Sequence, residues 1–213
     1  MPCLKKLRKH HKKRYTLKYI TSGVLGLILL LSVLTISCRT THSVHNDLEN
    51  NIAKVIKLFT HKSSDINEMI HSETGVFIVY RPGAFNTYLK INTIDFNTPN
   101  RYLPHADVEP AYNMNYESLP TYSCSEEKWS KTGLYCDLTT RDYLLSTTAY
   151  NLEKYELGTI DNATMEAFKI LEQNSHRVVL TDKDDNALIF YLTRIKSKWY
   201  LTILDTVSGD CSA

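Results

Sequence analysis

Three apolar runs close the chain: HRVVLT (176–181), ALIFYLTRI (187–195) and KWYLTILDT (198–206). Each has the length and the β-branched and aromatic content that are typical of a buried strand. A polar cluster from Asp182 to Asn186 separates the first two runs, and Lys196 to Lys198 gives a tight turn before the third. The sequence therefore predicts an antiparallel meander of three strands.

Apolar side chains recur at helical spacing before the meander. One stripe runs from Leu48 to Phe59, and a short second helix is predicted from Asp65. Two more helices are predicted, one with Leu138, Leu145, Ala149 and Leu152 on one face and one that starts at Asp161. Helices packed on an antiparallel meander give an α+β fold class, and a cystatin-like or NTF2-like sheet is compatible with this order. We expect a single domain over residues 46–213.

A hairpin and a long connection are predicted between the helical segments. Residues 76–80 read as a strand, and residues 85–96 read as its return strand. Residues 81–84, Arg-Pro-Gly-Ala, fit a type II turn in which Gly83 takes a positive φ. Residues 97–123 hold four of the six prolines and predict a long irregular connection.

The N-terminal segment has the pattern of an export signal. Residues 4–18 carry eight cations and no acid, and residues 23–36 are an uncharged, apolar run. Cations before such a run hold the N-terminus in the cytoplasm while the following chain is translocated. We predict a lipoprotein signal peptide at 1–37 and a tether at 38–45.

The residues at the end of this segment suggest lipidation. Leu-Thr-Ile-Ser-Cys at 34–38 places a small residue before Cys38 and resembles a bacterial lipobox. Cys38 is therefore the predicted lipidation site, with fatty acyl chains that hold the protein on the membrane. Two alternatives remain. Residues 19–37 would be about 28 Å long as a helix, enough for an uncleaved single span, or the chain could be secreted free.

The charge of the remaining chain argues against a nucleic-acid partner. Without the eight cations of residues 4–18, the chain has 17 basic and 23 acidic side chains, a net charge near −6. A surface that binds phosphate backbones needs a cationic face. The predicted partner is instead the membrane, through the lipid on Cys38.

Three cysteines follow the tether: Cys124, Cys136 and Cys211. In an oxidising compartment two of them are expected to pair. Cys124 and Cys136 would close a short loop and are the preferred pair. Pairing of Cys211 with either one, or three reduced thiols, are the alternatives that the sequence leaves open.

No catalytic residue, metal site or cofactor site is predicted. The cysteines are too widely spaced for a zinc site, and the cluster at Asp182 lacks the glycine and the final glutamate of an EF-hand loop. We therefore predict a non-enzymatic binding or structural domain. The rival hypothesis is an envelope hydrolase with a site under residues 97–123, which would need His71 or His105 beside a carboxylate.

Two stretches carry a resemblance to a known group. Residues 70–85, IHSETGVFIVYRPGAF, and residues 198–205, KWYLTILD, resemble uncharacterised exported lipoproteins of the Bacteroidota. The resemblance implies a compartment and an anchor: the cell envelope, with the domain held by lipid. The basic Arg39 after Cys38 departs from the acidic export tag of surface lipoproteins, so the domain is expected to face the periplasm. It implies no activity, because the group has no assigned chemistry.

Overall fold

The computed structural model describes residues 46–104, 108, 109 and 113–211. The chain divides into two compact units, 1–48 and 49–213, and only residues 46–48 of the first are described. None of the helices in the described ranges is long and apolar enough to cross a membrane. The predicted signal segment, Cys38 and His105 lie outside these ranges.

The described chain has a mixed α/β fold. Residues 46–60 form helix α1, which a 3-10 helix at Ser64–Met69 follows. Helices α2 and α3 are Leu144–Lys154 and Asn162–Gln173. The strands in chain order are β1 Val76–Tyr80, β2 Thr87–Ile91, β3 Met114–Asn115, β4 Tyr122–Ser123, β5 Lys128–Trp129, β6 Gly133–Cys136, β7 Ser175–Thr181, β8 Ala187–Ile195 and β9 Lys198–Asp205.

Seven of these strands form one mixed sheet in the order β2-β1-β9-β8-β7-β6-β3. Strands β7, β8 and β9 are antiparallel neighbours, which confirms the predicted meander. The sheet extends beyond it, because β1 pairs in parallel with β9 and β6 pairs antiparallel with β7. These additions cover both edges of the meander, whose backbone groups would otherwise lack partners. Strands β4 and β5 form a separate two-stranded ribbon.

The hairpin differs from its prediction. Strand β1 lies where it was expected, but the return strand β2 is limited to Thr87–Ile91. The predicted type II turn is wrong, because Gly83 does not take the positive φ that this turn requires. A wider loop joins the strands instead. The Arg81 Nε–H donates to Asn86 Oδ1 across it, at 2.8 Å.

One face of the sheet has two covers. Helices α2 and α3 pack on its first part, where Leu145, Ala149 and Phe168 contact a cluster that includes Phe77, Val79, Tyr191 and Ile203. The β4–β5 ribbon packs on the second part, where Trp129 contacts Val179 and Ile189. Alternate residues of a strand share a face, so Ile189 and Tyr191 place both covers on the same side. The ribbon and the helices thus lie side by side on one face of the sheet.

Gly75 gives the fold's clearest test of backbone geometry. It has φ of +67°, and a Cβ atom there would lie 2.7 Å from the carbonyl oxygen of Ile91. Alanine would suffer both the left-handed conformation and this overlap with backbone, so we expect Gly75→Ala to lower the free energy of unfolding by about 2–3 kcal/mol.

Chemical denaturation measures this loss, and Gly83→Ala is the matched control. Nothing lies within 4 Å of a Cβ atom at Gly83, and its φ is not in the left-handed region. We expect that substitution to be neutral or slightly stabilising. Equal stabilities for the two variants would contradict the left-handed backbone and the close contact with Ile91 at Gly75, the residue before β1.

Candidate ligand-binding cleft

An open cleft of about 390 Å³ lies at the end of strands β1 and β9. Its lining comes from five segments that are distant in sequence: the end of β1, residues 101–104, the β4–β5 ribbon, the β7–β8 turn and residues 205–210. The volume is within the range of sites for small ligands, about 300–1,000 Å³. The lining combines arginines, aromatic rings and carboxylates.

Stacked tyrosines and an arginine form the first wall. The rings of Tyr80 and Tyr102 stack with centroids 3.6 Å apart and planes 22° apart. The guanidinium carbon of Arg101 lies 4.4 Å from the centroid of Tyr102, and Arg101 donates a hydrogen bond to the Tyr102 hydroxyl. Burial raises the pKa of the Tyr80 phenol, and the neighbouring Tyr102 raises it further. The wall therefore combines partly exposed aromatic rings with an exposed cation.

The ribbon forms the opposite wall. Tyr122 and Trp129 meet edge to face, with ring centroids 5.2 Å apart. The backbone N–H of Trp129 donates to Asp185 Oδ1 at 2.9 Å, which ties the ribbon to the β7–β8 turn. Gly209 lies against the indole, because a Cβ atom at that position would be 3.1 Å from Trp129 Cζ2. The indole is thus fixed from two sides.

A buried ion-pair network holds the floor of the cleft. Arg177 donates to Asp142 Oδ2 and to Asp205 Oδ2, each at 2.8 Å, and to the Ser208 hydroxyl at 2.6 Å. The side chain of Asp205 is fully buried, whereas that of Asp142 is 35% exposed. Burial alone would lower the pKa of Arg177, but its partners, Asp205 foremost, overcome this and raise it. Asp205 is therefore the stronger of the two carboxylate partners of Arg177.

The disulfide joins two walls of the cleft, and it is not the predicted one. Cys124 pairs with Cys211, with Cα atoms 5.6 Å apart, and Cys136 is a buried free thiol. The predicted pairing of Cys124 with Cys136 is therefore wrong. Cys136 lies in β6, inside the sheet, while Cys124 lies at the exposed tip of the ribbon. Burial raises the pKa of the Cys136 thiol to about 12, so this thiol stays protonated.

A second buried carboxylate stabilises the helical cover. Tyr143, the N-cap residue of α2, makes no side-chain cap. Glu172 of α3 takes this role: it accepts from the Leu145 N–H at 2.5 Å and from the Ser146 hydroxyl at 2.5 Å. An acid from a neighbouring helix thus satisfies the free amides at the start of α2. Burial nevertheless raises the pKa of Glu172 to about 7, although these hydrogen bonds lower it.

This raised pKa predicts a pH dependence of stability. The folded protein keeps the Glu172 proton up to about pH 7, whereas the unfolded chain releases it near 4.5. The contribution of Glu172 is full below pH 4.5 and is lost as the pH rises through 7, a change of about 3 kcal/mol. His176, with a pKa lowered to about 4 chiefly by burial, gives the opposite slope between pH 4 and 6.5.

Because Glu172 and His176 change stability in opposite directions, the effect of Glu172 is seen best in the difference in unfolding free energy between wild type and Glu172→Gln. We expect the stability of wild type relative to Glu172→Gln to fall as the pH rises from 4.5 to 7.5. Urea unfolding at five or six pH values measures it, and a pH-independent difference would contradict a buried, proton-holding Glu172.

Of the other residues singled out in the sequence, His71 lies apart from the cleft, whereas the acidic turn contributes Asp185 and Asn186 to its lining. His71 stacks edge to face on Tyr200, at 5.0 Å, and its Nδ1 faces the hydroxyl of Thr74. The acidic cluster at 182–186 forms the expected hairpin turn, in which Asp182 Oδ1 accepts from the backbone N–H of Asp184 and of Asn186. Across the described ranges, no group of three metal-ligating side chains is positioned to hold an ion.

The sequence reading missed the residues that build the cleft. Arg177 lies in the first strand of the meander, where a charged side chain within an apolar run signals a buried partner. Arg101 and Tyr102 lie in the connection that was predicted to be irregular, so no period marked them. The four tyrosines of that connection are the sequence feature that could have indicated ligand contact.

Comparison with known proteins adds no relative. No family model matches the chain, and neither the curated proteins nor the solved structures include a match.

Proposed function

We propose that this chain is a lipoprotein of the cell envelope whose domain binds a polar ligand, such as a segment of glycan, in the cleft. The observation that carries the proposal is the pairing of stacked Tyr80 and Tyr102 with Arg101 on one wall, opposite Trp129 on the other. Aromatic faces suit the C–H faces of a sugar ring, while guanidinium and carboxylate groups suit its hydroxyls.

Binding without catalysis fits the state of two of the three carboxylates that line the cleft. Asp205 is committed to Arg177, and Asp185 accepts from the ribbon backbone. A hydrolase would need a carboxylate or histidine that is free to move protons, and His71 does not line the cleft. One observation supports the rival hydrolase proposal: residues 101–104, part of the 97–123 connection, line this cleft.

The anchor and the compartment are part of the same proposal. The cation-led apolar segment and the serine before Cys38 support lipidation and a position facing the periplasm. An uncleaved single span at 19–37 is the rival. A cystatin-like or NTF2-like relationship also stays a proposal, supported by the helices that pack across the meander.

A panel of soluble envelope oligosaccharides, muropeptides included, tests the binding proposal. The readout is tryptophan fluorescence in a Trp199→Phe background, because the chain has two tryptophans and Trp199 does not line the cleft. We expect at least one member to change the emission, and expect Arg101→Ala and Tyr102→Ala each to weaken its binding by about tenfold, the loss of one charged hydrogen bond or one stacked face. Tyr150→Ala is the control, because Tyr150 is an exposed aromatic on α2 outside the cleft. Binding that Tyr150→Ala weakens as much as Arg101→Ala would contradict the cleft, as would a panel without any binder.

A further inference from the structure

A second groove, which shares no lining residue with the cleft, runs between α3 and the sheet. It has a volume of about 630 Å³. Its floor is apolar: Phe77 and Phe168 meet edge to face at 5.1 Å, and Leu171 packs against the same cluster. Ile170, on its rim, is 50% exposed. A large aliphatic side chain left half in water beside an open apolar floor marks a surface suited to an apolar ligand.

The charges around this groove all have one sign. The charged residues among its lining are Lys90, Arg194 and Lys196, each of them exposed, and no acid lines it. The residues after the predicted signal carry a net charge near −6, so a cluster of cations alone runs against the overall balance. These cations favour an anion at the rim of the apolar groove.

One of these cations has donors left for an anionic head group. Lys90 donates to the carbonyl oxygen of Glu73 at 2.8 Å, and its ammonium lies 6.0 Å from the ring centroid of Phe77. An ammonium has three donors, so the contact with Glu73 leaves donors for a ligand. Lys196 takes a φ of 46° at the β8–β9 turn, which sets its position at the strand end.

We propose that this groove binds a long-chain fatty acid, with the alkyl chain along Phe168, Ile170 and Leu171 and the carboxylate at the cationic rim. Each methylene that leaves water adds to the affinity, and the cations favour the ionised head. A ligand with one charged end and an otherwise apolar body matches a groove whose charges are confined to its rim.

Photoaffinity labelling of the full chain in its own membranes tests this proposal. The probe is a palmitic acid analogue with a diazirine in the chain, and peptide mapping locates the label. We expect label in the α3 segment at 162–173, reduced at least about tenfold in Arg194→Glu/Lys196→Glu, in line with the loss of two charge-assisted contacts. Lys169→Glu is the matched control, because Lys169 is on α3 but does not line the groove, and it should label like wild type.

Two further probes separate the rival occupants. The hexadecanol analogue has the same chain without the charge, and we expect it to label α3 weakly. A diazirine phospholipid reports docking of this surface on the bilayer, and we expect no label on α3 from it. Equal labelling by hexadecanol, preferential labelling by the phospholipid, or an unchanged signal in Arg194→Glu/Lys196→Glu would each overturn the proposal. Thermal unfolding of each variant checks that a lost signal does not reflect a lost fold.

Discussion

Replacement of Arg177 by methionine is expected to lower the free energy of unfolding by about 3–5 kcal/mol, the cost of breaking a buried ion pair from one side. Arg177 is the basic partner of fully buried Asp205 and also of Asp142. Methionine fills much of the same space but leaves Asp205 buried without its cation. Asp142, whose side chain is 35% exposed, contributes less to this loss, because solvent screens its charge.

Urea unfolding of the purified chain measures the effect, and Arg194→Met is the matched control. Arg194 is an exposed arginine in the same sheet, and its replacement should change stability by no more than about 0.5 kcal/mol. The double variant Arg177→Met/Asp205→Asn should be more stable than the two single losses predict, because the charge left unpaired is gone. A loss below about 1 kcal/mol for Arg177→Met alone would show that the network does not hold the floor of the cleft.

Loss of the disulfide is the second large effect. Cys124 and Cys211 are 87 residues apart, and on the chain-entropy model a loop of this length contributes about 4–5 kcal/mol. We therefore expect the double variant Cys124→Ser/Cys211→Ser to lose stability of that order. The bond also ties the ribbon wall of the cleft to residues 209 and 210, so ligand binding in the cleft should weaken as well.

Reductant separates this pairing from its rivals. Dithiothreitol should destabilise wild type and Cys136→Ser alike, and it should have no effect on Cys124→Ser/Cys211→Ser. Cys136 is the matched control, since it is a cysteine of the same domain that forms no bond. A Cys136→Ser protein that no longer responds to reductant would show that Cys136 takes part in the bond, with Cys124 or with Cys211, and would contradict the Cys124–Cys211 pairing.

Local pattern was enough to predict the meander and the helices, because it depends on residues close in sequence. The strands at the end of the chain lie within one residue of their predicted limits, and Asp161 caps α3 by accepting from the Thr164 N–H at 2.9 Å. The β7–β8 turn also formed as predicted, since Asp182 bonds its own neighbours.

The contacts that build the cleft are long-range, and local pattern does not encode them. The parallel pairing of β1 with β9 joins Phe77 to Ile203, across most of the domain. The disulfide was mispredicted for the same reason: a short loop favoured Cys136, but the fold buries that thiol within β6 and brings Cys211 to the ribbon. The cap of α2 by Glu172 likewise depends on how two helices pack.

We propose that an exported, lipid-bearing chain folds into a disulfide-linked domain outside the cytoplasm. Intact-mass and peptide mass spectrometry of the protein from its native membranes tests it most directly. We predict a chain that begins at Cys38 with fatty acyl groups on that residue, a bond between Cys124 and Cys211, and a reduced Cys136. A chain that begins at Met1, without acyl groups and with every thiol reduced, would contradict the claim.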